Sequence, residues 1–165
     1  AGTVLTSVSS LASANLTGTV ASGRMPAGSV LQVVSFGTHT STATTSTSFV
    51  TTAFSITITP SSSASKILIL HNGMVNVLGT SSWGFYTLYR GATNLYASGA
   101  QGIAGGVYVN GATDSHAPSS IAYLDSPATT SAVTYAIYVK SGNGTNMRYN
   151  ADSWFGTINA LEIAG

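Results

Sequence analysis

The feature that most restricts this chain is a strict two-residue alternation of apolar and polar side chains. Phe54, Ile56 and Ile58 alternate with Ser55, Thr57 and Thr59 until Pro60 ends the run. Val133, Tyr135, Ile137 and Val139 alternate with Thr134, Ala136, Tyr138 and Lys140. A period of two puts every second side chain on one face of a strand, so such runs bury one face and wet the other. Further strands are expected at 30–34, 67–70, 83–90, 93–97, 106–109, 120–124, 146–149 and 157–163. Turn-forming clusters separate them: Ser61-Ser62-Ser63, Arg90-Gly91, Asn110-Gly111, Ser126-Pro127 and Gly142-Asn143-Gly144. Asn-Gly supplies the positive φ angles that tight hairpins need. About eight to ten short antiparallel strands at this spacing predict an all-β sandwich or jelly roll.

Two runs depart from the alternation. Val30-Leu31-Gln32-Val33-Val34 and Ile67-Leu68-Ile69-Leu70 are apolar on both faces. One face of each is expected on the core and the other under a cover such as a sister subunit. Residues 1–28 form a low-complexity stretch in which Leu5, Val8, Leu11, Leu16, Val20 and Met25 are spread among small polar residues. That thin stripe cannot make a core alone, but several copies wound about an axis would bury it; the plainer reading is a linker. Met25-Pro26-Ala27-Gly28 marks a boundary, giving a neck at 1–28 and a head domain at 29–165. The start has neither an initiating Met nor a basic signal region, as a fragment or processed chain would.

Charge narrows the partners. Only 5% of residues are charged and the net charge is +1, against about 25% charged in an average soluble protein. The hydrophobic fraction of 44% is ordinary, so the chain lacks the signature of disorder. Arg24, Lys66, Arg90, Lys140 and Arg148 are scattered, so no basic face is present for nucleic acid or an anionic membrane. No apolar run approaches the length of a membrane span. Without cysteine, no disulfide contributes, and stability must come from packing.

Catalytic patterns are sparse. There is no G-x-S-x-G elbow, and His39, His71 and His116 stand in no triad spacing. A glycosidase pair would need two of Asp114, Asp125, Asp152 and Glu162 close together, and nothing in their spacing favours it. Metal-ligand spacings are absent, Asp114-Ser115-His116 being a doublet that turns also produce. His39 or His71 would be the candidates for an axial ion in an oligomer, although each reads more simply as an ordinary histidine. No catalytic residue, metal or cofactor is therefore assigned. Glu162 falls on the apolar face of the last strand and Arg90 ends another, which suggests that the two pair, within one subunit or across a subunit seam; the plainer reading is that each emerges at a strand end.

Aromatic residues near polar turns are the best binding candidates, because sugars present apolar C–H faces beside hydroxyl groups. Tyr96, Tyr108, Tyr149 and Trp154 lie near such turns, and Asn110, Asn146, Asn150 and Asp152 supply polar groups. Trp83, Phe85 and Tyr135 read as core.

The blocks AGSVLQVVSF (27–36), TSTSFVTTAFSITITPSSSASKILIL, LYRGATN around Arg90, SIAYLDSPATTSAVTYAIYV and the closing INALEIAG together resemble marine phage structural proteins. They are similar to the C-terminal domains of tail fibres from cyanophage-like viruses, and ANLTGTVASGRMPAG resembles the linker leading into such domains. The resemblance covers nearly the whole chain and implies a non-enzymatic virion component at the tail-fibre tip. It further implies a homotrimer joined to an upstream fibre shaft and a host cell-surface receptor, polysaccharide or lipopolysaccharide, as partner. It carries over no functional residue. The stretch from Leu95 to Pro118 departs from the pattern, and receptor-facing loops are expected there. The competing expectations are a purely structural neck or decoration protein, a glycan-degrading tailspike and a monomeric carbohydrate-binding module.

Overall fold

The structure, a computed structural model, describes residues 24–96, 104–109 and 114–165. Its strands are β1 (Val30–Thr38), β2 (Thr42–Thr44), β3 (Val50–Ile58), β4 (Lys66–Leu78), β5 (Ser82–Arg90), β6 (Thr93–Asn94), β7 (Ala104–Val109), β8 (Asp114–Asp125), β9 (Val133–Ser141), β10 (Met147–Tyr149) and β11 (Gly156–Ile163). Every pairing is antiparallel. The chain is all-β, with no α-helix among the described residues.

Sheet A follows the order β1-β11-β4-β10-β2, with β8 on the opposite side of β4. Sheet B follows β3-β9-β5-β6, with β7 also on β5. The alternating runs fix which faces meet. Phe54, Ile56 and Ile58 of β3 and Val133, Tyr135, Ile137 and Val139 of β9 point inward from sheet B. They meet Ile67, Ile69, Val75 and Val77 of β4, Met147 and Tyr149 of β10, and Ile158 and Ala160 of β11. Fully burying such an aliphatic side chain contributes roughly 1.5–3 kcal/mol. The result is a β-sandwich around one apolar core.

Strands β4 and β8 run further than their apolar residues suggest. Asn72, Gly73, Met74 and Asn76 break the pattern of β4, yet β8 pairs with it from Ile67↔Asp125 to Leu78↔Asp114. Within this pairing Pro118 is tolerated because β8 is an edge strand and Pro118 can turn its missing N–H side outward. Tyr135 is in the core as expected, but Trp83 and Phe85 are not. Both are half-buried on the outer face of sheet B, because the inward positions of β5 are Ser82, Gly84, Tyr86 and Leu88.

Two buried carboxylates tie the architecture together, and the expected partner of Glu162, Arg90, goes to the other one. Arg90 Nη1 donates to both carboxylate oxygens of Asp125, at 3.0 and 2.8 Å. Tyr135 Oη donates to Asp125 Oδ2 at 2.6 Å. Asp125 belongs to sheet A, while Arg90 and Tyr135 belong to sheet B, so this trio joins the two sheets at one end. Glu162 is instead held by neutral donors. Gln32 Nε2 reaches Oε2 at 2.6 Å, and Ser61 N, Ser61 Oγ and Ser65 Oγ each reach Oε1 at 2.7 Å. Burial pushes its pKa up, but hydrogen bonds from Ser65, Gln32 and Ser61 outweigh that and hold it below the ordinary value. Within the chain Arg90 and Glu162 therefore do not pair.

Candidate functional site

Strands β10 and β11 lie in one line along the same side of β4. Tyr149 sits opposite Val75 and Thr157 opposite Asn72, so this side advances eight residues while β4 advances three. The surplus leaves the sheet as the segment 150–155. The neighbouring line is interrupted at the same height: β1 ends at Thr38 opposite Gly156, and β2 resumes at Thr42 opposite Tyr149. Two adjacent strand lines thus bulge together, one with His39-Thr40-Ser41 and the other with Asn150-Ala151-Asp152-Ser153-Trp154-Phe155.

The larger bulge is tightly constrained. Among the described residues five non-glycine residues have positive φ, and three of them are Asn150 (57°), Asp152 (56°) and Ser153 (59°). Asn and Asp tolerate this left-handed region better than other L-residues, and such conformations persist only where the surroundings impose them. Asn150 provides the anchor: its N–H donates to Met74 O (2.7 Å), and its Nδ2 donates to Thr38 O (3.1 Å) and Trp154 O (2.5 Å). Trp154 N closes the turn onto Ala151 O. His39 Nδ1 donates to Ser153 O at 2.8 Å, which fixes the proton on that nitrogen.

This frame presents two adjacent aromatic rings to solvent. Trp154 is 51% exposed and Phe155 57% exposed. The Phe155 ring lies over Gly37, where any Cβ would collide with it, and meets the His39 ring at 4.9 Å between centroids. Polar groups cluster at Asp152 of the same bulge. Asp152 Oδ2 and Asp114 Oδ1 each lie 3.5 Å from His116 Nε2. Asn76 Nδ2 donates to Asp114 and, at 3.3 Å, to Ser115 O. Two large rings held by a rigid backbone beside hydrogen-bonding groups form a preorganised contact surface with little side-chain entropy to lose.

Of the residues singled out in the sequence, Asp152 and Trp154 come together here. Asn150 belongs to the same bulge, but it is buried and structural. Tyr149 is also buried: its hydroxyl bonds His71 Nε2 and Ser119 Oγ, each at 2.6 Å, so it cannot touch a ligand. His71 is likewise interior, and burial lowers its pKa to about 4, offset in part by the Thr157 backbone. It is therefore no candidate for an axial ligand, and its Nδ1 has no partner of good hydrogen-bond geometry. Asn146 lies elsewhere on sheet A, lining a shallow depression with Ala43, Thr44, Thr45 and Ser46. Tyr96 and Tyr108 are exposed beside sheet B, and Asn110 lies outside the described residues. Phe155, His39 and His116 were missed as site members. The available signal was the run Asn150–Ser153, which interrupts an apolar strand with turn-formers immediately before two aromatic residues.

A second surface answers the doubly apolar strands. Register places Val33 opposite Leu161, Leu161 opposite Leu68, and Leu68 opposite Leu124. These four form an unbroken aliphatic row across the outer face of sheet A, with Val33 59% and Leu124 50% exposed. Leu70 in the next row and Val30 in the preceding one extend it. Contiguous exposed apolar patches are the kind of surface at which interaction sites occur.

No protein-family model matches the chain, and no curated protein matches it in sequence.

Proposed function

We propose that this chain is the β-sandwich head of a phage tail fibre, that it acts as a homotrimer, and that it attaches the virion to a host surface glycan without enzymatic activity. The observation that carries attachment is the rigid 150–155 bulge, which holds Trp154 and Phe155 out to solvent beside Asp152, His116 and His39. Aromatic rings of this kind suit the C–H faces of a sugar, and the surrounding groups suit its hydroxyls. The aliphatic row on sheet A supports an oligomer, since cyclic assembly would cover it. The threefold number and the tail-fibre identity are supported by the resemblance of the sequence blocks.

The test is adsorption of the purified chain to host cells, comparing the natural chain with Trp154→Ala and Phe155→Ala, with light scattering on each. Loss of adsorption by folded variants that keep their oligomeric mass supports the reading. Undiminished adsorption overturns the assignment to this bulge. Dissociation of the variants overturns it as well, because the rings would then be subunit contacts, as in a purely structural protein. A natural chain found as a folded monomer of 16.7 kDa overturns the trimer.

A further inference from the structure

The outer face of sheet B differs in kind from that of sheet A: it is aromatic and carries one cation. Trp83 and Tyr108 sit opposite each other on β5 and β7, with ring centroids 6.1 Å apart and planes inclined by 33°. The indole lies flush on Gly142, where any Cβ would overlap it, and Tyr108 is 62% exposed. One step along β5, Phe85 faces Lys140 of β9. The Lys140 ammonium lies over two rings, 4.8 Å from the centre of Phe49 and 5.3 Å from that of Phe85. Tyr138 and Tyr89 continue the surface, stacked at 3.9 Å.

Charge decides what this face can meet. The sequence has four acidic side chains. Asp125 is taken by Arg90, Glu162 is enclosed by Ser61, Ser65 and Gln32, and Asp114 and Asp152 flank His116 on the other sheet. Lys140 is thus left without a carboxylate partner. No strand of sheet B contains an acidic residue, so this face offers Lys140 no compensating charge from a second copy meeting it through the same face. Like charges across an interface are penalised, whereas an anionic partner is drawn in. The aromatic faces with hydroxyl and indole N–H edges select the rest of that partner: a ring with apolar C–H faces and hydroxyl rims.

We propose that the outer face of sheet B binds acidic polysaccharide, with Trp83 and Tyr108 stacking on sugar rings and Lys140 pairing with a uronate carboxylate. This site is separate from the 150–155 bulge and stands without it.

The experiment is affinity electrophoresis of the full chain through gels containing polygalacturonate, alginate or hyaluronate, with amylose as the neutral probe. At least one polyuronate should retard the natural chain, amylose should not, and added salt should weaken the retardation. Lys140→Gln and Tyr108→Ala should each lower the affinity about tenfold or more, and Lys140→Arg should retain most of it. Retardation that Trp154→Ala abolishes while Lys140→Gln keeps it assigns the binding to the bulge and overturns this proposal, so failure of the attachment reading and failure of this one are told apart. Absence of retardation by all three polyuronates overturns the proposal, as does equal retardation by amylose or an unaffected Lys140→Gln. A change of oligomeric mass in Lys140→Gln also overturns it, since the face would then belong to a subunit contact.

Discussion

Acidification should destabilise this protein through one residue, His71. The imidazole is buried against Phe54 and Tyr149, with its Nε2 on the Tyr149 hydroxyl, and its pKa is lowered to about 4 from 6.5. Between those two values the unfolded chain binds a proton that the folded chain refuses. Stability attributable to His71 is therefore complete above the unfolded value and falls as the pH drops from 6.5 toward 4. At about 1.4 kcal/mol per unit the full effect is roughly 3 kcal/mol, and by about pH 5 roughly 2 kcal/mol of it is lost. That pH lies above the window of Glu162, whose lowered pKa makes its contribution disappear only on further acidification. The assay is urea unfolding at about pH 7.5 and about pH 5, at fixed chain concentration, for the natural chain and His71→Gln. Gln keeps a polar group near Tyr149 but does not titrate, so it should be less stable at neutral pH and should lose roughly 2 kcal/mol less on acidification. An equal loss in both proteins would refute the argument.

Other expectations follow from the buried polar groups and the aliphatic row. Arg90→Leu should cost about 3–5 kcal/mol in unfolding free energy, because it strands the Asp125 carboxylate between the sheets. Tyr135→Phe should cost only about 1–2 kcal/mol, since Arg90 remains. Glu162→Gln should cost about 2 kcal/mol, because its oxygen would meet the three donors at Oε1 without charge and its NH2 would face the Gln32 Nε2 donor at the Oε2 position; thermal denaturation at neutral pH measures it. Leu124→Lys should leave the fold intact, because the side chain points outward, yet it should weaken the proposed oligomer as read by sedimentation.

Much of the sandwich was legible because alternation reports directly on which face is buried. The runs at 54–58 and 133–139 became β3 and β9, and the doubly apolar runs became β1 and β4, with their second faces aligned. Legibility failed where ladder hydrogen bonds, rather than side chains, define a strand. The far halves of β4 and β8 and the whole of β2 carry Asn, Gly, Ser, Thr and His, and their register is set by the neighbouring strand. The same reason hid Trp83 and Phe85. Aromatic residues on a strand read as core, but Ser82 and Gly84 occupy the inward positions, leaving room for Met147 and Val77 opposite Gly84. Pairing was illegible too: sequence separation says nothing of whether Arg90 meets Glu162 or Asp125. For the bulge, the turn-forming residues were visible, but its rigidity depends on Asn150 reaching Thr38 across 112 positions.

The collinearity of β10 and β11 has a consequence for how this surface can change. Both flanks of the 150–155 bulge are clamped independently to β4, so its length is uncoupled from the registers that hold the core. Lengthening a loop whose ends are already fixed adds only about 0.6 kcal/mol of closure entropy per doubling. The bulge should therefore accept inserted segments while the sandwich beneath stays the same.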